Sequence, residues 1–403
     1  MKYDVVVIGA GPAGSTAGKF LSEKGVKVLL LDKSTFPRDK PCGGGLPTRV
    51  LKRYKYIEEN NLIDSYSYEI YLHSFSLKYK IDIHRNEPIV AMVLRKKFDE
   101  GLANLATRSG ATFITGKTGK GLKISEENVH LFLSDGTKIE SQYVIVADGM
   151  WSSIGKQLGE RQNCNNIGVC VVQEYPLSKT TLDQFFSEKR RVHYHLNVMG
   201  VAGYGWVFPK NEHVNIGVCE FRQAIGPENQ KKNMKKIYQN YLKILKENNI
   251  IPSALQADNL KGGIFPTHPV EHTSLERVFL CGDAAGMVNP LTGEGIYNAM
   301  VSGEISANVI REALETGATN ENVLMSYETR WRNDFGIDFK RFFKLSKLWD
   351  IKKENIVRLF GKDEKLVDIA LKHITDTDTI KKYRWKLARR FLYIYLKDRF
   401  GLQ

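Results

Sequence analysis

The chain has 403 residues, 42% hydrophobic and 26% charged, and carries a net charge of +14. This is an ordinary globular composition with apolar side chains enough for a sizeable core in two or three subdomains. No apolar run of about 18 residues and no signal-peptide pattern occurs, so neither a membrane span nor secretion is expected.

Tyr3 to Ile8 is a β-branched run, followed by Gly9-Ala10-Gly11-Pro12-Ala13-Gly14 and then by helical spacing from Ser15 to Lys24. Strand, turn and helix are contiguous, as a dinucleotide site requires. Gly9 permits the tight turn, Gly11 admits a pyrophosphate to the helix N-terminus, and Gly14 lets the helix press on the strand. Val26 to Leu31 reads as a second parallel strand ending at Asp32, where an acid meets the hydroxyls of an unphosphorylated ribose. Gly9, Gly11, Ala13, Gly14 and Asp32 are therefore candidate cofactor residues.

A glycine-rich loop, Pro41-Cys42-Gly43-Gly44-Gly45-Leu46-Pro47, precedes strand-like pieces between Tyr68 and Ile83. Arg95 heads a helix from Phe98 to Arg108, Thr112-Phe113-Ile114 reads as a parallel strand, and Asn128 to Glu140 as a hairpin turning at Asp135-Gly136. Tyr143 to Ala147 is a buried strand ending at Asp148-Gly149. Residues 167 to 220 alternate apolar and polar positions, which predicts an antiparallel sheet, and a helix is expected from Gln230 to Asn248.

Val278 to Leu280 is an apolar strand that runs into Cys281-Gly282-Asp283-Ala284-Ala285-Gly286, and a long helix is expected from Gly295 to Glu315. Asp283 can accept hydrogen bonds from a ribityl chain, while the N–H groups of Gly295 and Ile296 can face the pyrimidine edge of a flavin at a helix N-terminus. This distal segment, together with the N-terminal fingerprint, selects FAD. Cys281, on the buried strand, is read as core.

The five cysteines (Cys42, Cys164, Cys170, Cys219, Cys281) form no CxxC pair, which fits a reducing cytosol and neither a disulfide framework nor a zinc site. His193, His195, His213, His268 and His272 form no metal-like cluster and are read as structural, so no metal is expected. The stretches Phe339 to Trp349 and Lys381 to Lys397 mix cations with aromatic residues. They read as a helical cap with solvated lysines or as helices on the inner membrane surface. No nucleic-acid module accompanies the positive charge.

Gly9-x-Gly-x-x-Gly14, Asp32, Arg95 with Phe98-Asp99, Asp148-Gly149 and Gly282-Asp283 together resemble flavoproteins with the aromatic-ring hydroxylase fold. Within that group, Lys40-Pro41-Cys42-Gly43-Gly44-Gly45-Leu46 and Tyr204-Gly205-Trp206-Val207-Phe208-Pro209-Lys210, with Asn215-Ile216-Gly217, resemble the geranylgeranyl reductase family. The resemblance implies an α/β fold with three parts. They are a discontinuous Rossmann-like FAD-binding domain (1–65, 90–160 and 275–330), an antiparallel-sheet substrate domain (66–89 and 161–274) and a helical C-terminal region (331–403). It further implies saturation of the double bonds of an isoprenoid lipid, by a hydride from reduced flavin N5 and a proton from elsewhere.

Tyr204, Trp206 and Phe208 alternate along a strand and so share one sheet face. By alternation alone they are sheet core; with the resemblance they are expected to wall a tunnel for the isoprenoid, Tyr204 and Trp206 acting at the reaction itself. Cys42, with Lys40 and Arg38 nearby to favour its thiolate, is expected with Gly43 and Gly45 to line the flavin pocket. Its chemical role stands open against that of a small buried filler. Arg95 is expected on the FAD pyrophosphate or ribityl chain and, on spacing alone, Gly119 near the adenine. No second nucleotide fingerprint is present, which leaves the external reductant open between NAD(P)H and ferredoxin. The alternative is a flavin monooxygenase, epoxidase or halogenase, although Tyr204 and Phe208 depart from the halogenase segment Trp-x-Trp-x-Ile-Pro. A third is a non-redox cyclase or carrier.

Overall fold

The computed structural model describes residues 2–400 apart from 75, 161–165, 223–231, 318–320, 347–353 and 376–379. Two compact units result, each assembled from three chain segments: 1–40, 95–167 and 265–343 form the first, and 41–94, 168–264 and 344–403 the second. These units divide the chain differently from the expected three parts. Residues 41–65 fall in the second unit, and of the C-terminal region 331–343 fall in the first unit and 344–403 in the second.

The first unit is built on a sheet whose parallel strands run Val278–Leu280, Lys138–Val146, Lys2–Ile8, Val28–Asp32 and Thr112–Thr115 in spatial order. These strands are apolar almost throughout because both faces are covered; Val5, Val6, Val7, Leu29, Leu30 and Leu31 are fully buried. Val129–Leu133 adds the expected hairpin, pairing antiparallel with Lys138–Val146. The helix Pro12–Ser22 packs against both Arg95–Arg108 and Ile296–Thr316. Helix Glu321–Trp331 is pinned through Tyr327, whose hydroxyl donates to the Leu280 carbonyl at 2.7 Å.

The second unit is a seven-stranded sheet in the order Lys261–Pro266, Ile167–Pro176, His213–Arg222, Gly203–Pro209, Val192–Leu196, Glu69–His73, Lys80–His84. Val192–Leu196 and Glu69–His73 pair parallel, a departure from the wholly antiparallel expectation. One face carries the helices Lys179–Phe186 and Met234–Glu247 over a core that includes Val207, Ile216, Val218, Phe186 and Tyr241. The other face carries Tyr204, Trp206 and Phe208, with ring centroids about 6 Å apart in sequence (5.9 and 6.0 Å). C-terminal helices Glu354–Phe360, Glu364–Thr375 and Ile380–Phe400 are cross-linked by Arg358 to Asp398 at 2.7 Å and by Arg390 to Asp363. Glu354 accepts from the Ser76 N–H at 2.7 Å, which ties them to the sheet's edge hairpin. No described helix is long and apolar enough to cross a membrane.

Candidate active site

In the first unit the Gly9–Gly14 turn is formed as the spacing requires. Gly9 has φ +100°, and a Cβ there would stand 2.3 Å from the Ala147 carbonyl oxygen, so no L side chain is accommodated. The Ala10 N–H donates to Asp32 Oδ2 and the Ser34 N–H to Oδ1, each at 2.8 Å. Asp32 thus clamps the turn it was expected only to flank, and each carboxylate oxygen retains a second lone pair. Arg38 reaches Asp99 Oδ2 at 3.0 Å and Asp32 at 3.8 Å. Arg95 is buried, with Nε and Nη2 docked on the two Asp99 oxygens at 2.8 and 2.7 Å, a bidentate contact that fixes the guanidinium plane.

The distal segment closes the same unit. Lys40 Nζ lies 3.0 Å from Asp283 Oδ2, joining residues 243 positions apart. Burial works against the Asp283 charge, but the Lys40 ammonium, helped by Arg95, outweighs it and holds the carboxyl below its ordinary range. Gly295 begins the helix Ile296–Thr316 with no side-chain cap and no acid in the first turn, and Gly11 does the same for Pro12–Ser22. Both helix starts thus present uncapped N–H groups to an anion or polarised ring.

These residues fit a flavin dinucleotide. Among the described residues the space beyond Gly11 meets only Arg38 Nη2, at 3.5 Å, and the buried Asp148 Oδ1 has no hydrogen-bond partner, the condition in which a buried carboxylate oxygen awaits a donor. Burial pushes the Asp148 carboxyl up to about 6, against the opposing pull of a Ser152 hydrogen bond. Gly119 is different: the space where its Cβ would stand is taken by Leu131 at 3.2 Å and Ile8 at 3.5 Å. Side-chain packing therefore accounts for that glycine, and the adenine contact expected from spacing gains no support from it.

In the second unit the glycine loop lies flat on the aromatic strand. A Cβ on Gly43 would stand 2.9 Å from the Phe208 ring and 3.1 Å from Trp206 Nε1, and one on Gly44, at φ +75°, 2.2 Å from the Val93 carbonyl oxygen. Trp206 and Phe208 are accordingly each 6% exposed, covered by backbone, so the three-ring tunnel wall is reduced to its Tyr204 end. Tyr204 stays half-buried beside Tyr194 and Phe221. Burial raises its hydroxyl well above the usual phenol range, with Cys219, Tyr194, Cys170 and Cys42 adding to the effect.

A polar chain that sequence reasoning missed anchors this loop. Trp206 Nε1 donates to Asn215 Oδ1 at 2.7 Å, and Asn215 Nδ2 donates to the Cys42 carbonyl at 3.1 Å and to Glu174 Oε1 at 2.9 Å. Lys210, 1% exposed, pairs with the same Glu174 oxygen. Its members Cys42, Trp206, Lys210 and Asn215 stood in the motifs, but Glu174 and the bonds among them were not readable there. Cys42 Sγ accepts from the Gly44 N–H at 3.4 Å. Arg38 and Lys40, expected to favour its thiolate, are both committed to carboxylates of the first unit. Cys170 and Cys219, which belong to no sequence motif, stand beside each other near Tyr204; Cys164 lies outside the described residues, as do 347–349 and the start of the helix expected from Gln230. Of the histidines read as unclustered, His193 and His195 are brought together with His73 on one sheet face.

A Rossmann-like sheet with two uncapped helix starts and a Gly-Asp turn defines an FAD-binding flavoprotein. The FAD binding domain family matches residues 2–335. The digeranylgeranylglycerophospholipid reductase of Methanosarcina acetivorans is 31% identical, over 96% of this chain and 91% of that protein. The protein of the same name in Methanocaldococcus jannaschii is 30% identical, over 82% of each. A geranylgeranyl bacteriochlorophyll reductase-like protein from Thermoplasma acidophilum shares the fold, with TM-score 0.80, 23% identity and 98% of each chain covered. The chain belongs to the FAD binding domain family and, within it, to the geranylgeranyl reductase family. Its cofactor is FAD.

Proposed function

We propose that this chain saturates the double bonds of geranylgeranyl chains carried by archaeal-type di-ether lipid precursors. The observation that carries this reading is the match along most of the chain to relatives named as digeranylgeranylglycerophospholipid reductases. Gly9, Gly11, Ala13, Gly14, Asp32, Arg95, Asp283, Gly295 and Ile296 hold the FAD, which supplies a hydride once reduced. An isolated alkene also needs a proton and a dry surround. The Tyr204 side of the aromatic face supplies the surround, its rings favouring positive charge on the carbon skeleton. Tyr204, whose hydroxyl burial makes a weaker acid than an ordinary phenol, and Cys42 are the two proton donors this reading assigns. The Trp206–Asn215–Cys42 chain holds the glycine loop against that face. Electrons reach the flavin from NAD(P)H or a ferredoxin.

The helix Ile380–Phe400 exposes Trp385, Leu392, Leu396 and Phe400, which share one side at helical spacing among Lys382, Arg389 and Arg399. This suits peripheral contact with an anionic membrane, where the substrate resides. Binding to vesicles containing an anionic lipid, lost in Trp385→Ala/Leu392→Ala, checks the contact.

Anaerobic reduction of the purified protein with dithionite, followed by a geranylgeranyl di-ether lipid, tests the activity. Flavin reoxidation with a hydrogenated product by mass spectrometry is expected. Product formation that requires oxygen would move the assignment to a monooxygenase.

A further inference from the structure

His193 and His195 sit two apart on the strand Val192–Leu196, hence on one face, and the register places His73 of Glu69–His73 directly beside His195. Each ring contributes a nitrogen to a group within 4.8 Å, and the nearest pair, His73 Nε2 and His193 Nδ1, is 3.1 Å apart. The three residues are 7%, 5% and 2% exposed. They face the helix-covered core, Phe186 and Tyr241 among their neighbours, on the side of the sheet away from Tyr204, Trp206 and Phe208.

Two features separate this cluster from ordinary packed histidines. Among the described residues the Nε2 atoms of His193 and His195, both buried, find no hydrogen-bond partner, an arrangement that folded proteins seldom leave uncompensated. The Tyr241 hydroxyl lies 2.8 Å from His195 Nδ1, so that ring's second nitrogen is held by an outer partner while Nε2 is left to bind, the arrangement usual around metal-ligating imidazoles. The flanking cations are neutralised, Arg191 by Glu69 and Lys80 by Asp82, each at 3.0 Å. His84 lies 3.4 Å from Glu69, and the Tyr71 ring closes the edge.

We propose that His73, His193 and His195 form a binding site for one divalent transition-metal ion of the zinc and cobalt type. An all-imidazole donor set selects such ions over magnesium or calcium, which take oxygen ligands. Two ligands alternating on one strand and a third on its neighbour bring three nitrogens to one side of a sheet, leaving the fourth position to water. His73 and His195 are stacked, 4.3 Å apart and 7° from parallel, so binding turns one ring out of the stack to make the nitrogens converge. Lying on the covered face, the ion would brace the sheet against its helices.

The test uses the full-length, flavin-loaded protein, treated with chelator and dialysed, then titrated with Co²⁺. The expected result is visible d–d absorption saturating at one ion per chain, abolished by one equivalent of Zn²⁺, together with a rise of several degrees in unfolding temperature. His195→Gln should lose both responses while keeping its bound flavin, and His272→Ala, at an exposed histidine, should keep both. Absence of stoichiometric binding in the parent protein, or undiminished binding in both His195→Gln and His73→Gln, overturns the proposal.

Discussion

Asn215 Nδ2 donates to the Cys42 carbonyl at 3.1 Å, while its Oδ1 accepts from Trp206 Nε1 at 2.7 Å. One amide thus ties the glycine loop to the aromatic strand. Asn215→Leu keeps the volume and removes these two contacts and the one to Glu174, leaving a buried indole N–H unpaired. A loss of about 1–3 kcal/mol is expected from that group, read as a lowered urea midpoint. Turnover should fall further than stability if the loop positions Cys42, and Asn215→Gln should restore part of it.

Gly14→Ala tests the nucleotide turn. The added Cβ would stand 1.8 Å from the Gly9 carbonyl oxygen, so the strand–helix junction must open by displacing backbone, at a cost of roughly 1–3 kcal/mol or more. The purified variant should show a sharply reduced ratio of flavin to protein absorbance.

Asp283→Asn removes a charge that Lys40 holds at 3.0 Å. If the carboxylate accepts a flavin hydroxyl, losing a charge-assisted bond of about 1.5–3 kcal/mol weakens flavin binding roughly 10- to 100-fold. Fluorescence titration of the apoprotein with FAD measures this, with unchanged affinity as the contrary result.

The Asp148 carboxyl, raised by burial to about 6, binds its proton more readily in the fold than in the unfolded chain, where it titrates near the ordinary value of about 3.9. Its contribution to stability is therefore greatest below about pH 4, declines as pH rises, and is lost above about pH 6. Asp148→Asn should stabilise the flavin-stripped protein by about 1–3 kcal/mol at pH 7.5, and the gain should vanish by pH 4. Denaturation midpoints at the two pH values check the sign.

Much of the nucleotide-binding unit was legible because its determinants are local. The strand Lys2–Ile8, its glycine turn and the helix Pro12–Ser22 are consecutive, and periodicity separates buried parallel strands from amphipathic helices without long-range information. The Gly282-Asp283 turn was readable for the same reason. Alternation likewise put Tyr204, Trp206 and Phe208 on a common face, but could not tell that Gly43 would lie upon two of them.

What the sequence determined by itself, then, is the cofactor site's parts and the faces of its strands, since turn sterics and side-chain period act over a few residues. Tertiary structure alone decided that Asp148 loses its solvent, that Glu174 and Lys210 join Asn215, and that His73 meets His193 across 120 residues of chain. The physical reason is strand register: a shift of one residue turns a side chain to the opposite face. Which distant strands pair, and in what register, is settled by packing of the whole unit.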